Sequence, residues 1–230
     1  MICTRCRRIL DHDAPRCECG FAFVAAPEEL DDWFDEVRRI LETAYLAAPT
    51  PWQQSGKSGT FEDWARLRIP IAECVDRPGT FLDIGCANGF LLECLLDWTL
   101  RKGIAIDPFG LDYSAQVAQL ARQRLPQFAH HIFTGNAWDW RPPRRFDFVR
   151  TEAVYVPRNL QRAFLTRLLA DVVAPGGYLL VADYRSRSED IAHGWLDEEL
   201  PSWGFSVERV THGFNGAGRE LTRVARLAKP

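Results

Sequence analysis

The chain has 230 residues, of which 47% are hydrophobic and 26% are charged, and its formal net charge at pH 7 is -3. This composition is typical of one well-buried domain with a small appendage, and it excludes wholesale disorder. The acidic balance disfavours broad nucleic-acid binding, because a protein that neutralises many phosphates carries a basic surplus. The sequence shows neither a membrane-spanning apolar run nor a secretory signal core, so we expect a cytoplasmic protein.

The first 24 residues are short and rich in cysteine. Two cysteine pairs are separated by ten residues, and they are Cys3, Cys6, Cys17 and Cys19. Four thiolates at this spacing can surround one tetrahedral zinc ion. A segment of this length has too small a core to fold alone, so metal would supply its folding energy. Residues 1–24 are therefore predicted to form a structural zinc-binding segment, with free or redox-active thiols as the alternative.

Residues 25–79 are predicted to form a helical lid and linker. From Leu30 the apolar residues recur at helical spacing until a pair of prolines ends the pattern. A glycine-containing loop follows at 52–59, and Thr60 is placed to cap a second helix that Pro70 kinks or splits. The Gly-Lys-Ser triplet in the loop lacks the earlier glycine and the preceding strand of a phosphate-binding loop. We therefore interpret the loop as a lid over a ligand.

From residue 80 to residue 230 short apolar strands alternate with amphipathic helices. This alternation predicts an α/β core with mostly parallel strands, and the last two strands are expected to form an antiparallel hairpin around 213–218. The expected strands are 81–85, about 104–112, 131–135, 145–150, 178–184, 205–210 and 220–227. The expected helices are 90–100, 114–125, 160–173 and about 188–200.

A glycine-containing loop joins the first predicted strand to the helix after it. Gly85 and Gly89 permit turns and a close approach to a ligand, and the helix N-terminus favours an anion. The dinucleotide-binding fingerprint requires glycine where Ala87 stands, which speaks against a nicotinamide-dependent oxidoreductase. Asp83, at the end of the strand, is suited instead to the ammonium group of a cofactor that contains an amino acid.

This region resembles class I S-adenosylmethionine-dependent methyltransferases. The matching segments are FLDIGCANGF at 81–90, GLDYS at 110–114, GNAWDW at 135–140, RFDFVRTEAVYVP at 145–157 and APGGYLLVADY at 174–184. The resemblance covers roughly residues 60–228. It implies a Rossmann-like, doubly wound, mostly parallel seven-stranded sheet and S-adenosylmethionine as the cofactor. The residues expected around the cofactor are Asp83, Gly85, Cys86, Ala87, Asn88, Gly89, Asp112, Tyr113, Asn136, Ala137, Trp138, Gln54 and Arg68.

The resemblance also implies separate roles for several of these side chains. Asp112 would accept hydrogen bonds from both ribose hydroxyls, although a carboxylate there can also serve only the following helix. Asn136 and Ala137 would contact the adenine, with the next tryptophan over its face, although Asn136 can also be a turn residue. The family often has an acidic residue at that position, but an asparagine carbonyl still accepts a hydrogen bond. Gln54 and Arg68 can reach the cofactor carboxylate or lie in solvent.

The acceptor is expected at the carboxyl ends of the strands. Glu152 and Tyr155 follow the fourth core strand and are the candidate catalytic residues. Glu152 can act as a general base or bind a substrate amine, or it can simply pair with a nearby arginine such as Arg150 or Arg158. Weaker candidates for a base are three lone histidines, His130, His131 and His193.

The preferred function is methyl transfer to an oxygen or nitrogen of a small molecule. One alternative is methylation of RNA bases guided by the zinc segment, whose Arg5, Arg7 and Arg8 suit phosphates. Another is a regulatory protein that binds the cofactor without catalysis. The simpler interpretation of the zinc segment is that it only stabilises the fold or forms a dimer contact.

Overall fold

The computed structural model describes residues 3–10, 13–56, 59–186 and 194–229. Seven strands are present, and they are β1 Gly79–Ile84, β2 Ile106–Asp112, β3 Ile132–Thr134, β4 Phe146–Thr151, β5 Val173–Tyr184, β6 Val207–Phe214 and β7 Glu220–Ala228. They form one sheet in the order β3-β2-β1-β4-β5-β7-β6. The first five are parallel, and β7 is antiparallel to both β5 and β6. The predicted fold class is confirmed.

Helices cover both faces of this sheet. They are α1 Leu30–Ala47, α2 Phe61–Arg66, α3 Ile69–Glu73, α4 Phe90–Leu100, α5 Ala115–Arg124, α6 Gln161–Arg167 and α7 Leu196–Glu199. Successive side chains of a strand point to opposite faces. Accordingly, Leu82 packs in a hydrophobic cluster with α1 and α6, whereas Phe81 packs in a second cluster with α3, α4 and α5. The alternation read in the sequence is therefore that of a three-layer α/β sandwich.

Local signals place several helix boundaries. The Thr60 hydroxyl accepts a hydrogen bond from the Asp63 amide at 3.2 Å, and the Ser114 hydroxyl accepts one from the Val117 amide at 3.1 Å. Both are N-caps that satisfy amides left free by the first turn. Pro70 stands in the first turn of α3, so the predicted second helix is split in two there.

One strand differs from the sequence prediction, and one predicted helix lies partly outside the described residues. Strand β5 begins five residues before Tyr178, because Val173 pairs with Phe146 and the Pro-Gly-Gly stretch bulges between that pair and the pairing of Tyr178 with Phe148. The helix expected at about 188–200 is described only as α7, since residues 187–193 lie outside the described residues.

The cysteine-rich segment is attached to the turn that follows β4. The Arg158 amide donates to the Phe23 carbonyl at 2.8 Å, and Asn159 exchanges two side-chain hydrogen bonds with the Ala25 backbone at 3.0 and 3.2 Å. The Trp33 indole in α1 donates to the Ala22 carbonyl at 2.8 Å. The segment thus packs beside the carboxyl end of β4. Within the described ranges no helix has both the length and the apolar character for crossing a membrane.

Candidate active site

Polar side chains gather where the parallel strands end. Asp83 lies near the end of β1, Asp112 ends β2, Arg150 lies near the end of β4 and Tyr184 ends β5. Parallel strands bring their carboxyl ends to one edge of the sheet, and ligands bind there in open α/β folds. The predicted residues Asp83 and Asp112 therefore share one region with Arg150 and Tyr184, which were not selected as site residues from the sequence.

Asp83 and Arg150 form a buried ion pair. Their side chains are 1% and 3% exposed, and the Arg150 Nη1 atom lies 3.2 Å from Asp83 Oδ1. Burial raises the pKa of Asp83 to about 6, against the opposing effect of Arg150. The second carboxylate oxygen, Oδ2, has no hydrogen-bond partner among the described residues. A buried oxygen without a hydrogen-bond donor lowers the stability of a fold unless a bound ligand donates a hydrogen bond to it.

Arg150 also connects the two candidate catalytic residues. It donates to the Tyr155 hydroxyl at 3.0 Å and to the Tyr184 hydroxyl at 3.3 Å, and it pairs with the Glu152 carboxylate. The Tyr155 hydroxyl in turn donates to Glu152 at 2.9 Å. Burial raises the pKa of Tyr155 well above its ordinary value, so this hydroxyl remains protonated. Glu152 does pair with Arg150, as one of the two sequence interpretations held.

Arg68 places a second guanidinium group in the same region. Its side chain is buried, and its guanidinium carbon lies 3.8 Å from the ring centroid of Tyr184. The Nη1 atom has no partner in the part of the chain that the structure describes. Stacking on an aromatic face fixes a guanidinium plane while leaving its edge free to donate. Arg68 does not lie in solvent.

The glycine loop after β1 closes tightly against its neighbours. Gly85 has φ +74°, and a Cβ there would lie 2.5 Å from the Tyr155 ring. Gly89 has φ +75° and approaches the Ala121 backbone, where a Cβ would lie at 3.1 Å. Both positions require glycine for backbone conformation and for space. The amides of Gly85 and Cys86 donate to the Leu111 carbonyl at 2.8 and 3.0 Å, which fixes the loop on β2.

Asp112 organises the loop and the following helix. It accepts hydrogen bonds from the Ala87 amide and the Ser114 amide, both at 2.9 Å. Burial raises its pKa to about 6 even though these amides favour the ionised form. Each carboxylate oxygen has a further lone pair, so Asp112 can still accept two hydroxyls. Its predicted ribose contact stays a prediction.

Asn88 ties the lid to the glycine loop. The buried Asn88 side chain donates to the Pro51 carbonyl at 3.0 Å and to Gln54 Oε1 at 2.9 Å. The loop at 52–59 therefore lies against the candidate cofactor site, with residues 57 and 58 outside the described residues. The Cys86 thiol fills the space beside Gly110, whose Cβ position lies 2.7 Å from Sγ.

The predicted adenine contacts lie in a turn next to Asp112. The Gly135 amide donates to the Asp112 carbonyl at 3.0 Å, and Asn136 Oδ1 accepts from the Trp138 amide at 3.0 Å. The Ala137 carbonyl accepts from Arg167. Asn136 is thus a turn residue with one lone pair in use, and its contact with adenine stays a prediction.

Helix α1 brings two further groups close to the site. Tyr113, beside Asp112, donates to Asp35 of α1 at 3.1 Å. Tyr45 was missed by sequence reasoning because it only continues the apolar face of the helix. The Tyr45 hydroxyl lies against the lid loop, 3.0 Å from the position that a Cβ on Gly56 would take. Burial together with the nearby Glu152 and Asp112 carboxylates raises the pKa of Tyr45, so its hydroxyl remains protonated.

Two of the three histidine candidates lie elsewhere. His130 and His131 precede β3 and therefore lie beside the middle of β2, away from the strand end where Asp112 stands. His131 stacks on Phe109, with ring centroids 3.9 Å apart, and its Nδ1 lies 3.0 Å from the Pro108 carbonyl. His193 lies outside the described residues.

The four N-terminal cysteines converge. The Sγ atoms of Cys3, Cys6, Cys17 and Cys19 all lie within 4.8 Å of one another. The closest pairs are Cys3 with Cys19 at 3.6 Å and Cys6 with Cys17 at 3.5 Å. Tetrahedral zinc with four thiolates places sulfurs about 3.8 Å apart, given Zn–S bonds of about 2.3 Å. The donor set and spacing fit one such ion.

Comparison with known proteins places the chain in a family. A family model described as "Methyltransferase domain" matches residues 57–228. A trans-aconitate 2-methyltransferase from Rhodopseudomonas palustris (strain BisB18) is 34% identical over 116 residues, which are 50% of this chain and 40% of that protein. The chain thus matches less than half the length of this curated relative.

Solved structures share the fold at low sequence identity. The 1,6-didemethyltoxoflavin-N1-methyltransferase from Burkholderia thailandensis superposes with a TM-score of 0.63 at 15% identity, over 96% of this chain and 98% of that one. The PH0226 protein from Pyrococcus horikoshii gives a TM-score of 0.58 at 15% identity, over 81% and 98%. The family match spans most of the chain, from the lid loop to the end of β7, and the chain belongs to the methyltransferase domain family.

Proposed function

We propose that the chain is an enzyme that transfers the methyl group of S-adenosylmethionine to an oxygen or nitrogen of a small-molecule acceptor. The observation that carries this proposal is a pair of buried groups of opposite charge, each with one atom that has no hydrogen-bond partner among the described residues. These atoms are Asp83 Oδ2 and Arg68 Nη1. The free amino-acid end of the cofactor has one ammonium and one carboxylate, so Asp83 would bind the former and Arg68 the latter.

The remaining cofactor contacts follow the family motifs. Asp112 would accept the two ribose hydroxyls, and the backbone at Gly85 would permit a close approach that a side chain would block. Asn136 and Ala137 would contact the adenine. Gln54, held by Asn88, would help to close the lid over the amino-acid end.

S-adenosylmethionine, when bound, supplies a methyl group on a positively charged sulfur. The protein must then align the acceptor in line with that bond and exclude water. Glu152 lines a cavity beside the network and is held there by Arg150 and Tyr155. Its carboxylate would accept the proton that the acceptor O–H or N–H loses. Arg150 and Tyr155 act as positioning residues for that carboxylate.

Two relatives support a small-molecule acceptor. One is named for methylating trans-aconitate, and the other for methylating 1,6-didemethyltoxoflavin at N1. The charges of the cysteine-rich segment also favour a small molecule over RNA. Arg5 pairs with Glu36 and Arg8 pairs with Glu18, so two of the three arginines that would suit phosphates are already neutralised.

The cysteine cluster would hold one structural zinc ion. Four thiolates complete a tetrahedral shell and leave no position for a substrate, so the ion would stabilise the segment and take no part in methyl transfer. Metal analysis of the purified protein should give one zinc per chain. Cys6→Ser should lower that ratio.

A transfer assay tests the proposed activity and separates it from cofactor binding without catalysis. The protein is incubated with S-adenosylmethionine carrying a deuterated methyl group and with a small-molecule cell extract, and labelled products are found by mass spectrometry. Glu152→Gln should lose most of the transfer, whereas Glu28→Gln, an exposed carboxylate in a surface turn, should retain it. Label appearing only in added RNA, or in no acceptor, would contradict the proposal.

A further inference from the structure

A cavity of about 250 Å³ adjoins the site and is enclosed by several separate parts of the chain. Its lining comes from the cysteine-rich segment, α1, the turn after β4, the end of β5 and the region 194–203. Glu152 is one of the lining residues, so the cavity opens onto the network that holds Asp83. We name it the acceptor cavity.

Aromatic rings form much of the acceptor cavity's lining. They are Phe21, Phe23, Trp33, Tyr184 and Trp203. Phe21 lies edge-on to Phe23 with centroids 5.4 Å apart, and it lies 6.3 Å from Trp33. The Trp33 indole N–H already donates to a backbone carbonyl, so the ring presents an apolar surface. Surfaces of this kind bind flat rings by stacking and edge contacts.

The charged groups of the acceptor cavity are mostly acidic. Among the described residues, three carboxylates, Glu152, Asp183 and Glu199, line it together with one cation, Arg158, and Glu152 is paired with Arg150. The Arg158 guanidinium donates to the carbonyls of Asp13 and Ala14, so part of it is engaged by the cysteine-rich segment. Within the described residues Glu199 has no ion pair. Even with Arg150 counted, the carboxylates outnumber the guanidinium groups by three to two, so an acceptor with several negative charges would be repelled, whereas a neutral or cationic one would not.

We infer that the acceptor is a planar aromatic molecule, neutral or cationic, that carries its nucleophilic nitrogen or oxygen on or next to the ring. It is held between the cysteine-rich segment and the methyltransferase core. This inference rests on the proposed function and names its substrate class. Small-molecule sites usually enclose about 300–1,000 Å³. At about 250 Å³ the acceptor cavity lies just below that range, which suits a ligand of only two or three fused rings.

The inference separates this chain from its trans-aconitate-methylating relative. Trans-aconitate has three carboxylates, and binding it would require several cations. The acceptor cavity offers Arg158 alone among the residues that the structure describes. The similarity to that relative covers half of the chain, so the acceptor sites of the two proteins can differ in the other half.

Binding to the full-length, metal-loaded protein tests the inference. The protein is first saturated with S-adenosylhomocysteine, which fills the cofactor site, and is then titrated calorimetrically with three probes. These are lumichrome, a neutral tricyclic heterocycle, proflavine, a cationic tricycle, and trans-aconitate. Two matched variants are titrated in the same way. Phe23→Ala removes a ring from the acceptor cavity, and Phe214→Ala removes an exposed ring from β6.

At least one tricycle should bind with a Kd that is about 100-fold lower than that of trans-aconitate. Phe23→Ala should weaken that binding by about tenfold, and Phe214→Ala should leave it unchanged. Equal or tighter binding of trans-aconitate would overturn the inference, as would no binding of either tricycle or no effect of Phe23→Ala. Failure of the folded protein to bind S-adenosylhomocysteine in the first step would instead contradict the proposed function.

Discussion

Replacing Gly85 by alanine should disrupt the site through the Tyr155 ring. The new Cβ would lie 2.5 Å from the Cζ and Oη atoms of Tyr155, so the ring must move. Its hydroxyl would then lose its bonds to Arg150 and Glu152, and hydrogen bonds to charged groups contribute about 1.5–3 kcal/mol each. The left-handed backbone adds about 1 kcal/mol for any residue with a Cβ.

Gly103 provides a matched control for this substitution. It has the same φ of +74° as Gly85, but a Cβ there would meet nothing within 4 Å. Gly103→Ala should therefore lower the free energy of unfolding by about 1 kcal/mol, and Gly85→Ala by about 4 kcal/mol or more. For a domain of this size, a difference of about 3 kcal/mol corresponds to a Tm about 6–12 °C lower for Gly85→Ala than for Gly103→Ala. If chemical and thermal denaturation show that Gly85→Ala and Gly103→Ala lose the same amount of stability, the reasoning about Tyr155 is refuted.

Further predictions concern the amino-acid end of the cofactor, pH and metal. Arg68→Met should weaken the binding of S-adenosylhomocysteine by about tenfold or more. The binding of methylthioadenosine, which lacks the amino-acid group, should not change. Equal losses of affinity for the two ligands in calorimetry would contradict the assignment of Arg68 to the carboxylate. Burial raises the pKa of Asp83 and of Asp112 to about 6, so both carboxylates take up protons as the pH falls below 6. The affinity for S-adenosylhomocysteine should therefore be constant from pH 8 to pH 7 and fall below pH 6. An affinity that rises toward low pH would contradict this prediction. Removal of the metal by a chelator should expose the buried aromatic Phe21 and lower the melting temperature, whereas an unchanged melting curve with complete metal loss would contradict a structural zinc.

Those parts of the fold that depend on local sequence could be predicted well. The alternation of strands and helices, the N-caps at Thr60 and Ser114 and the glycine loop at Gly85 are each set by a few neighbouring residues. These signals act over one turn of helix or one strand, so no tertiary information is needed to read them. The extended start of β5 was missed because its first residue pairs across a bulge, which only strand register reveals.

The network around Arg150 could be predicted only in part. A cation inside the apolar strand FDFVRT was a visible signal, and its pairing with Glu152 was one interpretation. Its contacts with Asp83 on β1 and Tyr184 on β5 depend on strand order and register. The burial of Arg68 depends likewise on how the lid region packs on Tyr184.

The cysteine-rich segment shows a similar division. Four thiols within the first 19 residues indicated a metal site from spacing alone. That the aromatic residues Phe21 and Phe23 would line a cavity beside Glu152 was not predictable, because the contact joins residues more than a hundred positions apart. The domain boundaries near residues 24 and 79 stay predictions.

The cofactor site is tested most directly by calorimetric titration of S-adenosylhomocysteine into the wild type, Asp112→Asn and Asp97→Asn. Asp112 is the proposed ribose contact, and Asp97 is a solvent-exposed partner of Arg101 on α4. We predict that the wild type and Asp97→Asn bind with a micromolar Kd, and that Asp112→Asn weakens binding by about tenfold or more, which is about 1.4 kcal/mol. No binding by the folded wild type, or equal binding by all three proteins, would contradict the account.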